Sequence, residues 1–584
     1  MGLLSEAART YDVLKEYVGK FEDNKEPLAP LYHKKQLIEI SVLLTQYGKC
    51  EAVQRIKEVG IIPSSEEAQG RSSSTIAPYP LMDNVKNLFL EKNRNVLLSN
   101  LKKWLDFSPN SIELQAVYDY LCNGTIEEDL MKFGITDADY SLFVGWVIET
   151  NENNIKTWKD PNLILSYTSF CQNNNVKKEK VLSMISGKED VPINKIPSIP
   201  VFGTAKLISG NDDKNFTYRG RFKDKNEALT LGYSDTIKAM NVLSWLCANQ
   251  SVLISADKRL TCRLICWSPD GIENVPNLLF SLMGNEQEKH ITYSNYKQAI
   301  EKYIQGIRKQ PDFISKKIVT TILGNATPGR ISTKFYSELS YNSFLGNIVK
   351  WDQECCWFDS YSKSVKSPSI RDIAKYSTGI GEDFRTEKNA SYHLAYEKLI
   401  ERKVSGGSIP INIKSNLVNR CANLKVYMNK IGVANDLLFV TCAVIRKYYF
   451  KEKEYSMDLN KDLLDRSYQY GRLLAILEKI EVDALSNTDS KRIPNAIQLQ
   501  SMFVRRPGTT TKILLEKIKT GYYSRLMSSK PGLLVYYEQL IGEIMEILSK
   551  MPIEDYNRPL GETYVLGYYL QKNEFYTKKS NEEK

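Results

Sequence analysis

Behind Ser405-Gly406-Gly407-Ser408-Ile409-Pro410 the apolar residues change from short alternating runs to steps of three and four, and no single layer of structure satisfies both patterns. The segments DLLFVTCAVIRKYYF, DLLDRSYQYGRLLAILEKIEVDAL, TTTKILLEKIKTGYYSRL and GLLVYYEQLIGEIMEILSKM each carry a helical apolar stripe, as at Leu540, Ile541, Ile544 and Leu548. A helical bundle is expected over residues 401–584. Pro531 behind Ser528 and Ser529, and Thr509 to Thr511 ahead of Ile513, read as helix starts. The aromatic and leucine stripes are core before they are anything else.

Upstream the signals are mixed. LIEISVLLTQYG followed by AVQRIKEVGII reads as a strand pair, and VKNLFLEKNRNVLLSNLKKWL reads as helix. The proline-rich VPINKIPSIPVFG marks a border, after which SVLISADKRLTCRLICWS returns to strands and closes on the turn WSPDG. A chain of 584 residues exceeds the roughly 250–300 that one core serves. The expectation is an α+β protein: a mixed α/β amino-terminal domain over 1–195, a basic domain with antiparallel strands over 196–400, and the bundle over 401–584. No run of about 18 apolar residues occurs, MGLLSEAART lacks a signal-like core, and Glu6 stands where a myristoylation signal needs Ser or Thr. A cytoplasmic protein with no membrane partner is expected.

TTILGNATPGRISTKFY, Thr320 to Tyr336, spaces Gly324 and Gly329 as a phosphate loop does, but Arg330 and Ile331 occupy the Lys and Ser/Thr positions. From Arg330 onward the residues alternate, with Ile331, Thr333 and Phe335 on one side and Arg330, Ser332 and Lys334 on the other. The stretch is therefore strand, Pro-Gly turn, strand, either a structural hairpin or a basic edge that faces nucleic acid. None of the ten cysteines is spaced Cys-x-x-Cys; Cys262 and Cys266 share a strand face without a second pair, and Cys355 and Cys356 sit together among aromatics. Buried thiols in a reducing compartment fit better than zinc. His33, His290 and His393 are far apart in sequence. No catalytic residue, metal site or cofactor is expected.

Charge is uneven. Residues 1–200 carry 23 Lys and Arg against 27 Asp and Glu, a net of −4, whereas residues 201–584 carry 56 against 42, a net of +14. A polyanionic partner suits the later part. Its most unusual segment is ISGNDDKNFTYRGRFKDKN, where Phe216, Tyr218 and Phe222 interleave with Lys214, Arg219, Arg221, Lys223 and Lys225. Aromatics can wedge or stack on bases while cations hold phosphates, and Asn211 adds an amide able to read a base edge. The other reading is an exposed loop whose aromatics tuck into the core. Arg505, Arg506, Lys512, Lys517 and Lys519 make a second basic cluster, with the arginines on the turn before Pro507-Gly508, suited to phosphate or to solubility.

Several of these segments together resemble the large subunit of the subtype I-C CRISPR surveillance complex, Cascade. The similarity runs from about residue 196 to the end, and is traceable earlier through SSSTIAPYPLMDNVKNLFL. It is carried by the Pro-containing turn with Arg330, Ile331, Ser332, Lys334, Phe335 and Tyr336, by SGGSIP with Leu417 and Arg420 behind it, by YQYGRLLAILEKI, and by LGYYLQ at Leu566 to Gln571, in that order. The family's Ser-x-Asn-Asp-x-x-Phe loop is matched by Ser209, Asn211, Asp212 and Phe216 with one extra residue, and a cysteine often found upstream is absent from NKIPSIPVFG.

The resemblance implies a non-catalytic subunit that works with a CRISPR guide RNA and with the Cascade backbone and guide-processing subunits. It would help recognise the protospacer-adjacent motif in target double-stranded DNA, hold the displaced strand of the R-loop, and present the site to a helicase-nuclease in antiviral defence. Pairing with the guide reads sequence in such machines, and protein reads only the motif and shape. It also implies a separate small subunit made from an internal start; Met457 fits, with Asp458 or Asn460 able to cap the helix entered at DLLDRSYQYG, and leaves 128 residues. The competing readings are a metal-dependent nuclease without a recognisable motif and a general single-strand nucleic-acid-binding scaffold.

Overall fold

The computed structural model describes residues 2–69, 71, 76–151, 153–176, 178–208, 222, 229–256, 261–271, 294, 298, 316–379, 389–486 and 492–577. The chain divides into two compact units, Met1–Val275 with Lys316–Glu338, and Pro276–Ser315 with Leu339–Lys584. The sequence-based borders at 195 and 400 fall inside these units. The fold is the expected one, mixed α/β with antiparallel pairs in the earlier part and helices at the carboxy-terminal end.

The first unit is built on two sheets. β1 (His33–Thr45) and β2 (Cys50–Pro63) form the expected antiparallel pair, and β3 (Val144–Glu149) and β4 (Asn154–Lys156) complete the order β2-β1-β3-β4. Between β2 and β3 the chain passes through helices Glu91–Phe107 (α2) and Ile112–Asn123 (α3), so that β3 returns parallel to β1, a pair the antiparallel expectation did not include. Alternate residues of β1, Ile38, Ile40, Val42 and Leu44, share one core with Leu101, Trp104, Val117 and Tyr120 of α2 and α3. The helix expected at VKNLFLEKN breaks once: Val85–Phe89 is capped by the Asn84 side chain, and Leu90 is extended before α2 begins. Trp158 is pressed between strands that carry glycine for it, since a β-carbon at Gly60 or Gly145 would lie 2.6 Å from its ring.

The second sheet has the order β10-β9-β8-β7, after the short pair β5 (Val181–Leu182) and β6 (Glu189–Asp190). Its strands are β7 (Ser251–Ala256), β8 (Thr261–Trp267), β9 (Lys317–Thr327) and β10 (Arg330–Ser340). Helices α1 (Leu3–Val13) and α5 (Tyr233–Asn249) share its core, where Tyr11, Met240 and Leu243 meet Trp267, Val319 and Leu323. Helix α4 (Pro161–Asn175) packs with the first sheet.

In the second unit helices α6 (Tyr341–Glu354), α7 (Ile370–Thr378), α8 (Ala390–Ser405), α9 (Ile411–Cys421) and α10 (Ile431–Tyr449) flank the small hairpin β11 (Trp357–Asp359) and β12 (Ser364–Lys366). The terminal bundle comprises α11 (Arg466–Leu485), α12 (Gln500–Arg505), α13 (Pro507–Gly521), α14 (Tyr523–Ser529), α15 (Pro531–Ser549) and α16 (Thr563–Thr577). α11 is buried almost all round and lies at its centre. Two helix starts differ from the sequence reading. α11 is capped by Asp465, whose carboxylate accepts from the Tyr468 N–H (3.0 Å) and the Thr563 hydroxyl (2.9 Å), rather than by Asp458 or Asn460. α13 begins at Pro507, and Thr510 and Thr511 send their hydroxyls back to the Arg506 and Pro507 carbonyls from within its first turn.

Candidate nucleic-acid interface

The Gly-Arg stretch is a hairpin, with β9 and β10 joined at exposed Pro328-Gly329 and no helix behind the turn. The aliphatic stem of Lys334 lies over Gly324, with Cε 2.8 Å from where a β-carbon would stand. Arg330 and Lys334 are exposed and Ile331 is buried, as alternation requires, but Thr333 is exposed as well because only Ile331 reaches the core at this end of the edge strand. The hairpin base is fixed: the Lys317 ammonium joins buried Glu6 of α1 (2.7 Å) and Glu338 (2.9 Å), and these bonds hold its pKa above the usual lysine value.

The hairpin tip meets the entrance to the basic aromatic segment. The Lys206 N–H donates to the Gly329 carbonyl (3.0 Å) and the Ile331 N–H donates to the Lys206 carbonyl (2.9 Å), so Lys206 forms a bridge beside Arg330. The Lys206 ammonium turns inward to the Ile196 carbonyl (2.8 Å), and burial lowers its pKa. Leu207 and Ile208 on the way out, and Leu229 on the return, pack on the core of the second sheet. Asn211, Lys214, Phe216, Tyr218, Arg219, Arg221, Lys223 and Lys225 lie outside the described residues, and Phe222 between them is half-buried. Thus the structure brings the stem of one sequence candidate onto the turn of the other.

The second cluster is at the α12–α13 junction. Arg506 is neither helical nor extended (φ −140°, ψ 70°) and ends one helix as it begins the next. Pro507 at the first position has no N–H to satisfy. The Gly508 N–H donates to the Tyr556 carbonyl (3.2 Å), the Tyr556 hydroxyl returns to the Gly508 carbonyl (2.9 Å), and the Thr509 N–H reaches Asn557 Oδ1 (3.0 Å). A side chain at position 508 would strike the Tyr556 ring, 2.5 Å away. Around this clamp stand Arg505, Arg506 and Lys512, all exposed, with the Lys512 ammonium 5.3 Å from the centre of the Tyr556 ring. No carboxylate of the described residues pairs with these three. Lys517 and Lys519 are exposed further along α13.

Sequence reading missed two members of this patch. Arg466 donates to the Arg558 carbonyl (2.6 Å) and lies over Tyr470, 92 residues from Arg558 in the chain; burial chiefly, and the Arg558 charge, lower its pKa. Arg558 is exposed and touches Asp555 at 3.3 Å. Nothing local marks either residue, because both face the patch only through the packing of α11 against the segment after α15.

Among the described residues no cluster of three or more His, Cys, Asp or Glu could hold a metal, and no helix is long and apolar enough to cross a membrane. Cys266 accepts a hydrogen bond from Thr320 (3.5 Å) and burial pushes its thiol up to about 12. Cys355 and Cys356 are likewise buried thiols pushed up to about 12. Met457 is half-buried against Cys356, Val365 and Phe358, in the non-helical stretch between α10 and α11.

The described residues thus place a basic hairpin on the two-sheet unit and a basic junction in the helical bundle, the exposed cationic character a polyanion partner would use. The chain belongs to the family described as CRISPR-associated protein (Cas_Csd1), which matches residues 14–576. Membership gives it the role of a Cascade-type large subunit in CRISPR defence. No curated protein matches it as a relative.

Proposed function

We propose that this chain is the non-catalytic large subunit of a subtype I-C Cascade: it helps read the protospacer-adjacent motif, stabilises the R-loop, and helps bring in the helicase-nuclease. The observation that supports this reading is the bridge at Lys206, which fixes the entrance of the basic aromatic segment beside the Gly329–Ile331 turn. Arg219, Arg221, Arg330 and Lys334 would hold duplex phosphates there while Phe216 wedges the base step. Arg505, Arg506 and Lys512 would hold the displaced strand. Bases of the guide, not these side chains, would carry target sequence. Met457 would begin the small subunit, which takes in α11 to α16.

The test is target-duplex binding by the complex assembled on guide RNA, with Arg219→Ala and Arg221→Ala introduced together. Assembly should persist, affinity should fall, and the dependence of log K on log salt should flatten by about 0.9 for each duplex phosphate no longer neutralised. Unchanged affinity and slope would remove the segment from the interface. Magnesium-dependent cleavage by the purified chain, abolished by mutating one carboxylate pair, would instead favour the nuclease reading.

A further inference from the structure

Between α2 and α4 of the first unit lies a cavity of about 450 Å³, within the range of small-molecule sites. One side of it is aromatic. Tyr32 and Tyr233 stack with centroids 5.1 Å apart and planes 16° apart, and Tyr167 and Phe170 of α4 face it beside them. Tyr32 adopts φ +61°, a left-handed conformation that is strained for a bulky residue and that persists where the surroundings over-determine it, often at binding sites. Two contacts fix it: its carbonyl accepts from the Ser64 N–H (2.8 Å) and its hydroxyl from the Asn175 amide (3.1 Å).

The polar groups fall into two sets. Ser64 is 1% exposed and lines the cavity, and its hydroxyl has no hydrogen-bond partner among the described residues. Such a group costs free energy unless something enters to pair with it. Asn100 of α2, Asn174 of α4 and Glu67 add donors and acceptors, while exposed Lys103 and Lys178 supply cations. The remaining carboxylate, Glu66, is engaged by the Asn194 and Lys195 N–H groups. A purely apolar ligand would leave Ser64 unpaired, and a sugar would make little use of the aromatic side of the cavity. A flat heteroaromatic ring with a polar edge and an attached anion suits the aromatic side, the polar groups and the cationic rim together.

From this we infer that the cavity is a binding pocket for one unpaired nucleobase with its phosphate, the ring against the aromatic wall, its edge toward Ser64 and Asn100, and the phosphate toward Lys103 and Lys178. The base could come from a free nucleotide or from a nucleotide of a strand. The inference does not rest on the proposed Cascade role, since the free-nucleotide case stands even if the chain binds no DNA.

The full-length chain is titrated with each of the four nucleoside monophosphates, and with a ten-residue oligo-dA compared with an abasic decamer carrying the same phosphates. Three variants accompany it: Asn100→Trp, which fills the cavity, Phe170→Ala, which removes one wall, and Lys103→Glu with Lys178→Glu at the exposed rim. Saturable binding of a monophosphate, blocked by Asn100→Trp and weakened about tenfold by each of the other two, identifies a free nucleotide. Preference for oligo-dA over the abasic decamer without monophosphate binding, abolished in Asn100→Trp, identifies a base of a strand. If neither appears, or if the rim variant and Phe170→Ala both bind as the parent does, the pocket is not a nucleobase site. The rim and Phe170 variants keep the test decisive should Asn100→Trp disturb the fold.

Discussion

The bundle depends on two glycines that no side chain can replace. Where α11 crosses α16, a β-carbon at Gly471 would lie 2.0 Å from the Tyr564 carbonyl oxygen, and one at Gly567 would lie 2.1 Å from that of Tyr468. Carbon and oxygen meet at about 3.3 Å even in close backbone contacts, so either alanine must drive the helices apart by about 1 Å. The obstacle is main chain on both sides, and no rotamer relieves it. Overpacking of this kind costs about 3 kcal/mol, against which alanine returns about 1 kcal/mol of helix propensity. Gly471→Ala and Gly567→Ala should each lose about 2 kcal/mol, and together less than the sum, because the first substitution already opens the crossing. Gly542→Ala in α15 is the control: nothing lies within 4 Å of its β-carbon, and it should gain about 0.5–1 kcal/mol. Urea unfolding of the full chain, monitored at 222 nm, reports all four. A Gly471→Ala protein as stable as the Gly542→Ala control would refute the reasoning.

Three further outcomes are expected. Arg505→Ala with Arg506→Ala should flatten the salt dependence of single-strand binding by about 1.4, two contacts at about 0.7 each, with unfolding unchanged because both side chains are exposed; an unaltered slope would return them to plain solubility. Lys453-Glu454 can be encoded AAG-GAG, a ribosome-binding sequence six nucleotides ahead of Met457; Met457→Leu, with synonymous recoding of these two codons, should remove a small co-purifying band and leave the full-length chain, whereas a band of unchanged size places the start elsewhere. His33 donates from Nδ1 to the Leu31 carbonyl (2.8 Å), its Nε2 is buried without a partner among the described residues, and burial holds its pKa from the usual 6.5 down to about 4. The folded state keeps the neutral ring while the unfolded chain takes a proton below pH 6.5, so stability should fall between pH 6.5 and 4 by up to about 3 kcal/mol, and His33→Gln should lose that dependence in a pH series of unfolding curves.

How much of the fold the sequence makes legible depends on how local the cause is. The strand pair around Tyr47-Gly48, the Arg330 hairpin and the helix beginning at Pro531 rest on periods and turn residues that neighbours in the chain supply. The α11 cap differs from the sequence reading because Asp458, Asn460 and Asp465 all offer a suitable side chain; Asp465 takes the Tyr468 N–H, and the bond from Thr563, 98 residues on, adds a partner that local sequence does not show. Gly471 and Gly567 were visible only as members of YQYGRLLAILEKI and LGYYLQ, segments that carried a family likeness. Their physical task is mutual contact. Separate stretches of sequence state that task in halves, and neither half has meaning until the helices cross.

The same dependence on distant partners decides how the α12–α13 junction can hold an anion. A helix start normally offers several free N–H groups, and phosphate bound there would depend little on side chains. Here the Gly508 and Thr509 N–H groups are already taken by Tyr556 and Asn557, and Pro507 has none. Any attraction would therefore come from Arg466, Arg505, Arg506, Lys512 and Arg558, charges contributed by three separate stretches of chain. Their distribution suits a backbone that runs past, each phosphate meeting a different cation, better than a single small anion. The salt dependence should accordingly divide among several arginines, with no one substitution abolishing binding.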